Sequence, residues 1–166
     1  METKPSTFYT VRFNDCDPLG HLNNSKYIDY FLNAREDHLK ASYGIDLKEW
    51  AARGLGFVVS RHEIQYIRAV TYNETICIRS VLFGYGDNYL DVEMLMYDQD
   101  QQSLKAILWS RFTHINTRTG RKEDHTAEIL EFTRQVLVPG IDIAKGMNAR
   151  IAVLRPGKLN SLDQPF

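Results

Sequence analysis

The sequence contains little cysteine, no long apolar run and almost no net charge. Only two of the 166 residues are cysteines, Cys16 and Cys77. With 43% hydrophobic residues, a chain of this length buries a core without the help of a disulfide. We therefore expect both thiols to be reduced, as they are in a cytoplasm.

The lack of a long apolar run and of a large net charge excludes further classes of function. No stretch of 18 apolar residues occurs, and the N-terminus lacks an apolar run as long as that of a signal peptide. Twenty Lys and Arg residues stand against 21 Asp and Glu, which gives a formal net charge of −1. This balance argues against nucleic acid or a membrane surface as a partner bound through bulk charge. We expect a soluble, cytoplasmic protein.

The hydrophobic pattern predicts a strand, a long helix and then four strands. Residues 8–14 alternate apolar and polar side chains as a strand does, and an apolar stripe of helical period runs from about Asn23 to Tyr43. Asn23 or Asn24 is the expected N-cap, and Gly44 is expected to end the helix. The later strands are predicted over 57–68, 75–83, 89–97 and 104–116, and shorter helices over 46–53 and 125–137. Consecutive strands with short turns favour an antiparallel sheet that wraps around the long helix.

The C-terminal part of the sequence shows no clear period. After Pro139 it contains three glycines and two prolines in 27 residues. It is either loosely attached or adds a strand near 149–154, and the sequence leaves both alternatives open. We therefore expect a single domain over residues 1–138 and an extension of uncertain structure over residues 139–166.

The densest polar cluster, residues 12–24, lies between the first strand and the start of the long helix. Backbone N–H groups at a helix start have no intrahelical acceptor and carry partial positive charge, so they can hold an oxyanion. A carboxylate just before them can attack a carbonyl or deprotonate water. Asp15, Asp17 and His21 are candidates on this logic. Helix capping and turn formation are the plainer explanation of the same residues.

Within this cluster, the stretch from Asp15 to Ile28, DCDPLGHLNNSKYI, resembles the signature of the hotdog-fold acyl thioesterases. Its DCDPLG part resembles the 4-hydroxybenzoyl-CoA thioesterase group, and HLNNSKYI is similar to plant acyl-ACP thioesterases. The resemblance implies an α+β hotdog fold, in which an antiparallel sheet wraps around a long central helix. It also implies hydrolysis of an acyl thioester of coenzyme A or of acyl carrier protein, with no metal or redox cofactor.

The same resemblance implies roles for three residues. Asp17 would be the catalytic carboxylate, as nucleophile or as general base, and the Asn24 N–H would polarise the thioester carbonyl. Relatives often carry an aromatic residue or His where Asn24 stands, so any help from an imidazole is lost there. His21 matches a histidine of the acyl-ACP type that acts with the aspartate, whereas Leu19 replaces an asparagine of that type. The sequence thus mixes two sub-patterns and leaves the carrier open.

Other polar residues are weaker candidates. Cys16 lies between two acids, which disfavour a thiolate. Glu63 is predicted on a strand, whereas thioesterases that use a glutamate carry it on the central helix. The remaining histidines show no spacing typical of a metal site: His38, His62, His114 and His125. A basic turn either contacts CoA phosphates or is only solvated, and it contains Arg118, Arg121 and Lys122.

The sequence leaves two alternatives to an enzyme open, and it also predicts an oligomer. The alternatives to an enzyme are a non-catalytic acyl-CoA-binding module and a structural oligomer whose motif only caps a helix. A single sheet covers one side of the helix and leaves its own edges unpaired. Hotdog proteins that resemble this sequence join two sheets edge to edge. We therefore expect a homodimer or homotetramer in which each site is built from two chains.

Overall fold

A five-stranded antiparallel sheet, in the order β1-β3-β4-β5-β2, forms the centre of the computed structural model, which describes residues 1–155. The strands are β1 (Ser6–Thr10), β2 (Leu55–Tyr66), β3 (Thr75–Tyr85), β4 (Tyr89–Asp98) and β5 (Leu104–Asn116). The helices are α1 (Asn24–Tyr43), α2 (Leu47–Ala52), α3 (Ala127–Val136) and α4 (Gly146–Leu154). The predicted α+β class is confirmed. Among the described helices, none combines the length and the hydropathy of a membrane-spanning segment.

Local signals set the two ends of α1 as predicted. The side chain of Asn23 accepts a hydrogen bond from the Ser25 N–H at 3.0 Å, so Asn23 is the N-cap. Gly44 ends the helix with a φ of 67°, a left-handed conformation that strains residues with a Cβ atom. The long helix is therefore fixed in length by residues adjacent to it in the chain.

Helix α1 packs across the inner face of the sheet. Phe31 and Ala34 are completely buried there, as the predicted stripe requires. Alternate side chains of the strands point to this face and complete the core: Ile76, Ile78, Leu82, Met94, Met96 and Leu108. Arg35 is buried on the same helix although it is charged. The position of α1 in turn fixes the segment that precedes it.

The first strand is shorter than predicted. It ends at Thr10 rather than Asn14, because Thr10 pairs with Thr75, the first residue of β3, and no partner strand continues beyond it. The chain turns instead through a 3₁₀ helix, Phe13–Asp15. The polar cluster thus begins in a turn and not in the sheet.

The C-terminal extension contains a helix, so the expectation of a strand near 149–154 is wrong. Met147, Ile151 and Leu154 recur at helical spacing and pack against the outer face of the sheet. Beneath α4 the outer face offers a second apolar cluster: Phe83, Leu95, Leu104, Ile107 and Trp109. The alternative of a loose attachment is also wrong for this helix. Residues 156–166 of the extension lie outside the described part of the chain.

A buried ion pair fastens α4 to the sheet. The carboxylate of Glu93 on β4 is fully buried and accepts two hydrogen bonds from the Arg150 guanidinium, at 2.7 and 2.8 Å. Trp109 donates a third from its indole nitrogen at 3.0 Å. Because every one of these donors reaches the same carboxylate, the position of α4 depends on it.

Strand β2 forms one edge of the sheet. It is 12 residues long and pairs only with β5 among the described strands. Val58 and Val59 are 44% and 40% exposed along this edge. A long, partly apolar edge of this kind is suited to pairing with another strand.

Candidate active site

The segment between the 3₁₀ helix and α1 is held in place by a neighbouring loop. The Leu22 N–H donates to the carbonyl of Val70 at 2.7 Å, and the Tyr72 N–H donates to the carbonyl of Gly20 at 2.9 Å. Gly20 adopts a φ of 76°, which allows the turn that precedes α1. The polar cluster therefore has a defined backbone and is not a mobile linker.

Two backbone N–H groups orient the Asp17 carboxylate. Its Oδ1 atom accepts from the Leu19 N–H at 2.9 Å and from the His21 N–H at 3.0 Å. The Asp17 N–H donates to the His21 carbonyl at 2.7 Å, which closes the turn. Within residues 1–155 the Oδ2 atom accepts no hydrogen bond. Hydrogen bonds thus orient the Oδ1 atom of Asp17, and the Oδ2 atom is available to another partner.

The other two predicted site residues follow in the same turn. Asn24 is the first residue of α1, so its N–H has no intrahelical acceptor. Its carbonyl accepts a hydrogen bond from the Tyr66 hydroxyl at 3.2 Å. The His21 imidazole is half-buried and makes no hydrogen bond to any residue of the described chain. Asp17, His21 and Asn24 accordingly lie together at the start of α1.

Asp15 and Cys16, which precede Asp17, make contacts of their own. The Tyr30 hydroxyl donates to Asp15 at 2.7 Å, and burial together with this hydrogen bond raises the pKa of Tyr30 to about 12. Asp15 is therefore occupied in fixing α1 to the turn. Desolvation and the carboxylates of Asp15 and Asp17 raise the pKa of the Cys16 thiol, which agrees with the prediction that Cys16 is not a nucleophile.

Three exposed apolar side chains surround the turn. Phe13 and Leu19 are each 79% exposed, and Tyr72 is 53% exposed. The rings of Phe13 and Tyr72 meet edge to face with their centroids 5.9 Å apart. We call these three residues the turn patch. An apolar surface beside a carboxylate is suited to contact with an acyl group or with another chain.

A cavity of about 460 Å³ lies beside the C-terminal half of α1. Helices α2 and α3 and strand β2 close it, and its walls are mainly aliphatic and aromatic: Leu39, Ile45, Trp50, Phe57, Phe112, Ile129 and Phe132. The volume is within the range of small-molecule sites. Arg35 and Glu36 also line it, whereas Asp17, His21 and Asn24 do not. Thus the predicted residues form the turn but no part of this cavity.

Arg35 is the residue that sequence reasoning missed. It follows Phe31 by four residues, and this spacing places both side chains on the same face of α1. The sequence did contain a signal, because Arg35 is a charged residue within the apolar stripe of α1. The structure shows it 7% exposed, at the wall of the cavity.

The weaker candidates make contacts with residues outside the turn. Glu63 forms an ion pair with Arg61 on β2 at 3.0 Å. In the basic turn, the Arg118 guanidinium donates to the Ala52 carbonyl at 3.3 Å. His38 shares a 2.7 Å hydrogen bond with Ser80, and its burial lowers its pKa to about 4. Within residues 1–155 no group of three or more His, Cys, Asp or Glu residues is placed to hold a metal ion.

The model of the thioesterase-like superfamily matches residues 11–137 of the sequence. The chain belongs to this superfamily. A comparison with curated proteins gives no match. The matched residues contain the turn, α1, the whole of β2–β5 and α3.

Several solved structures share the fold. A probable thioesterase of Escherichia coli, YbaW, is 23% identical with a TM-score of 0.69, over 80% of this chain and 98% of that one. The DHNA-CoA thioesterase of Staphylococcus aureus is 15% identical with a TM-score of 0.73, over 83% and 99%. A hypothetical protein of Staphylococcus aureus in complex with CoA is 16% identical with a TM-score of 0.73, over 82% and 87%. The hotdog fold is confirmed, and the superfamily supports thioester hydrolysis as the general activity.

Proposed function

We propose that the protein hydrolyses an acyl-CoA to a free acid and CoA, with Asp17 as nucleophile or general base. The observation that carries this proposal is the Asp17 carboxylate, held by two backbone N–H groups in the turn that leads to the first N–H of α1. A thioester carbonyl that accepts from the Asn24 N–H is polarised there. The available Oδ2 of Asp17 supplies the base or the nucleophile.

The chemistry follows one of two routes through the same turn. Asp17 either removes a proton from water, whose oxygen attacks the carbonyl, or attacks it directly to form an anhydride that water then hydrolyses. In both routes the tetrahedral intermediate places its oxyanion at the Asn24 N–H, and collapse expels the CoA thiolate. His21 is proposed to assist proton transfer, since its imidazole has no other partner among residues 1–155.

Coenzyme A is proposed as the carrier. Support comes from the similar fold of a protein solved with CoA and of a DHNA-CoA thioesterase. Arg121 and Lys122 are exposed in the basic turn and are candidates for phosphate contacts. Acyl carrier protein is acidic and calls for an extended basic surface, which a net charge of −1 does not favour.

Thiol release from a panel of acyl-CoAs tests this function. The panel runs from short to long and includes aromatic acyl groups, and the same acyl groups on acyl carrier protein form the comparison. We expect hydrolysis of at least one acyl-CoA, with a kcat/KM at least about ten-fold above that for the matching acyl-ACP. Tight binding of acyl-CoAs without thiol release would identify a binding module instead and overturn the proposal.

We also propose that the protein is a homodimer joined through the β2 edges. Support comes from the length of this edge and from the exposure of Val58 and Val59 along it. Identical edges pair with each other around a two-fold axis and need no second protein. The turn patch would then be covered by the partner, which completes the site.

Association and activity are accordingly expected to fall together. Val58→Lys places a charge on the β2 edge, and we expect weaker association and lower thiol release from it at the same protein concentration. Val153→Lys, an equal change at a side chain 68% exposed on α4, is expected to leave both unchanged. Sedimentation at micromolar concentration measures the association. A fully active species with the mass of one chain, 19.2 kDa, would contradict the dimer.

A further inference from the structure

Arg35 is a buried cation without a counter-ion in the described chain. Its side chain leaves α1 toward the core and is 7% exposed. The guanidinium donates to the Ser80 hydroxyl at 3.4 Å and lies 5.9 Å from the centre of the Tyr43 ring. Within residues 1–155 no ion pair includes it. A guanidinium has five N–H donors and stays protonated in proteins, so it can bind acceptors beyond Ser80 and Tyr43.

The contacts of Arg35 with Ser80 and Tyr43 are with neutral groups, and no anion within residues 1–155 pairs with it. The neighbouring His38 shares the Ser80 hydroxyl, at 2.7 Å from its Nδ1 atom, and its Nε2 atom is buried without a partner. Glu36, the other charged residue at the cavity wall, is exposed and makes no ion pair with Arg35. An uncompensated buried charge is costly, because it loses the solvation that water provides. An anionic partner at the cavity would offset this cost.

The cavity provides the place for that partner. Arg35 forms part of its wall, and the rest of the wall is largely apolar, with Leu39, Phe57 and Phe132 among its members. The volume of about 460 Å³ admits a small organic molecule. A largely apolar cavity with a buried cation and an exposed Glu36 in its wall suits a ligand that is apolar along its length and anionic at the end next to Arg35.

We propose that this cavity binds an aliphatic chain whose terminal carboxylate pairs with Arg35. A carboxylate matches the guanidinium through two parallel hydrogen bonds, which are stronger than bonds between neutral groups. The chain of the ligand replaces water against the apolar wall. The ligand is either a free fatty acid or the far end of a dicarboxylic acyl group. The second source rests on the proposed acyl-CoA hydrolysis.

The position of Arg35 along α1 is compatible with the second source. Arg35 lies about three turns after Asn24, which is about 16 Å along the helix axis at 1.5 Å per residue. A thioester carbonyl at the Asn24 N–H and a carboxylate at Arg35 would thus be separated by a medium-length chain. Such a ligand would extend from the first residue of α1 to the middle of the helix.

Calorimetric titration of the whole protein with decanoate and with decanol tests the anion site without any hydrolysis. We expect decanoate to bind at least about ten-fold more tightly than decanol, since the two differ in charge but not in chain length. Arg35→Met is expected to abolish this preference, and Arg35→Lys to retain part of it. Arg134→Met, a change at an exposed arginine of α3, is the control and is expected to retain the preference in full. Equal binding of decanoate and decanol by the unaltered protein, or a preference that survives in Arg35→Met, would overturn the proposal.

Hydrolysis rates then distinguish the two sources of the carboxylate. If the source is a dicarboxylic acyl group, the mono-CoA thioester of decanedioic acid is expected to exceed decanoyl-CoA in kcat/KM by at least about ten-fold. Arg35→Met is expected to reverse that order. If the source is a free fatty acid, the unaltered protein shows no such order while decanoate still binds. If neither thioester is hydrolysed, the proposed function fails for these substrates, and the calorimetry alone decides whether the anion site exists.

Discussion

The Asp17→Asn variant is expected to lose at least about 100-fold in kcat, with a much smaller change in KM. The amide keeps an oxygen that accepts hydrogen bonds from the N–H groups of Leu19 and His21, so the turn is preserved. It lacks the charge needed to remove a proton from water or to attack a carbonyl. Steady-state thiol release with the preferred acyl-CoA measures both parameters.

Two matched variants separate this role from a general effect of charge. Asp15→Asn alters the other carboxylate of the motif, which is bonded to the Tyr30 hydroxyl, and we expect less than about a ten-fold loss in kcat. Asp29→Asn alters an exposed acid of α1 that pairs with Lys26, and we expect no change. Turnover of Asp17→Asn equal to that of the unaltered protein would end the proposed mechanism.

The Arg150→Ala variant is expected to lower the free energy of unfolding by about 3 to 5 kcal/mol. The substitution leaves Glu93, whose side chain is fully buried, with the Trp109 indole as its remaining donor. A buried carboxylate without its cation bears most of the cost of desolvation. Urea denaturation followed by circular dichroism measures the change.

The control for this loss is an exposed ion pair. In α3, Arg134 and Glu131 are each 61% exposed and lie 3.6 Å apart, so Arg134→Ala is expected to cost less than about 1 kcal/mol. Replacement of both Glu93 and Arg150 by Met removes the two charges together and is expected to restore most of the stability. A loss in Arg150→Ala as small as in Arg134→Ala would show that the buried pair contributes little.

The parts of the fold that local sequence determines were predictable. Asn23 and Gly44 bound α1 through contacts with residues next to them in the chain. Residue type alone predicted Gly44 as the end of the helix and left Asn23 and Asn24 as alternatives for the N-cap. Helix α4 was not predicted, because its apolar residues acquire a partner only when the outer face of the sheet exists. The end of β1 was missed for a similar reason, since it depends on where β3 begins.

The same distinction applies to the site. Asp17, His21 and Asn24 belong to one contiguous motif, so the sequence predicted their proximity, and their catalytic roles stay a prediction. The cavity was not predictable in shape, because α2, α3 and β2 close it from distant parts of the chain. Arg35 was missed because the sequence does not show that the apolar stripe of α1 borders a cavity at this residue.

Helix α4 covers a surface through which copies of the protein could otherwise stack. Stacking two sheets back to back requires a bare outer face, and here Met147 and Ile151 already occupy that face. To clear it, an assembling chain would have to withdraw Arg150 from a carboxylate that water does not reach. A tetramer built by stacking outer faces would therefore require α4 to move. In the described structure, α4 thus acts as a cap on the outer face of the sheet.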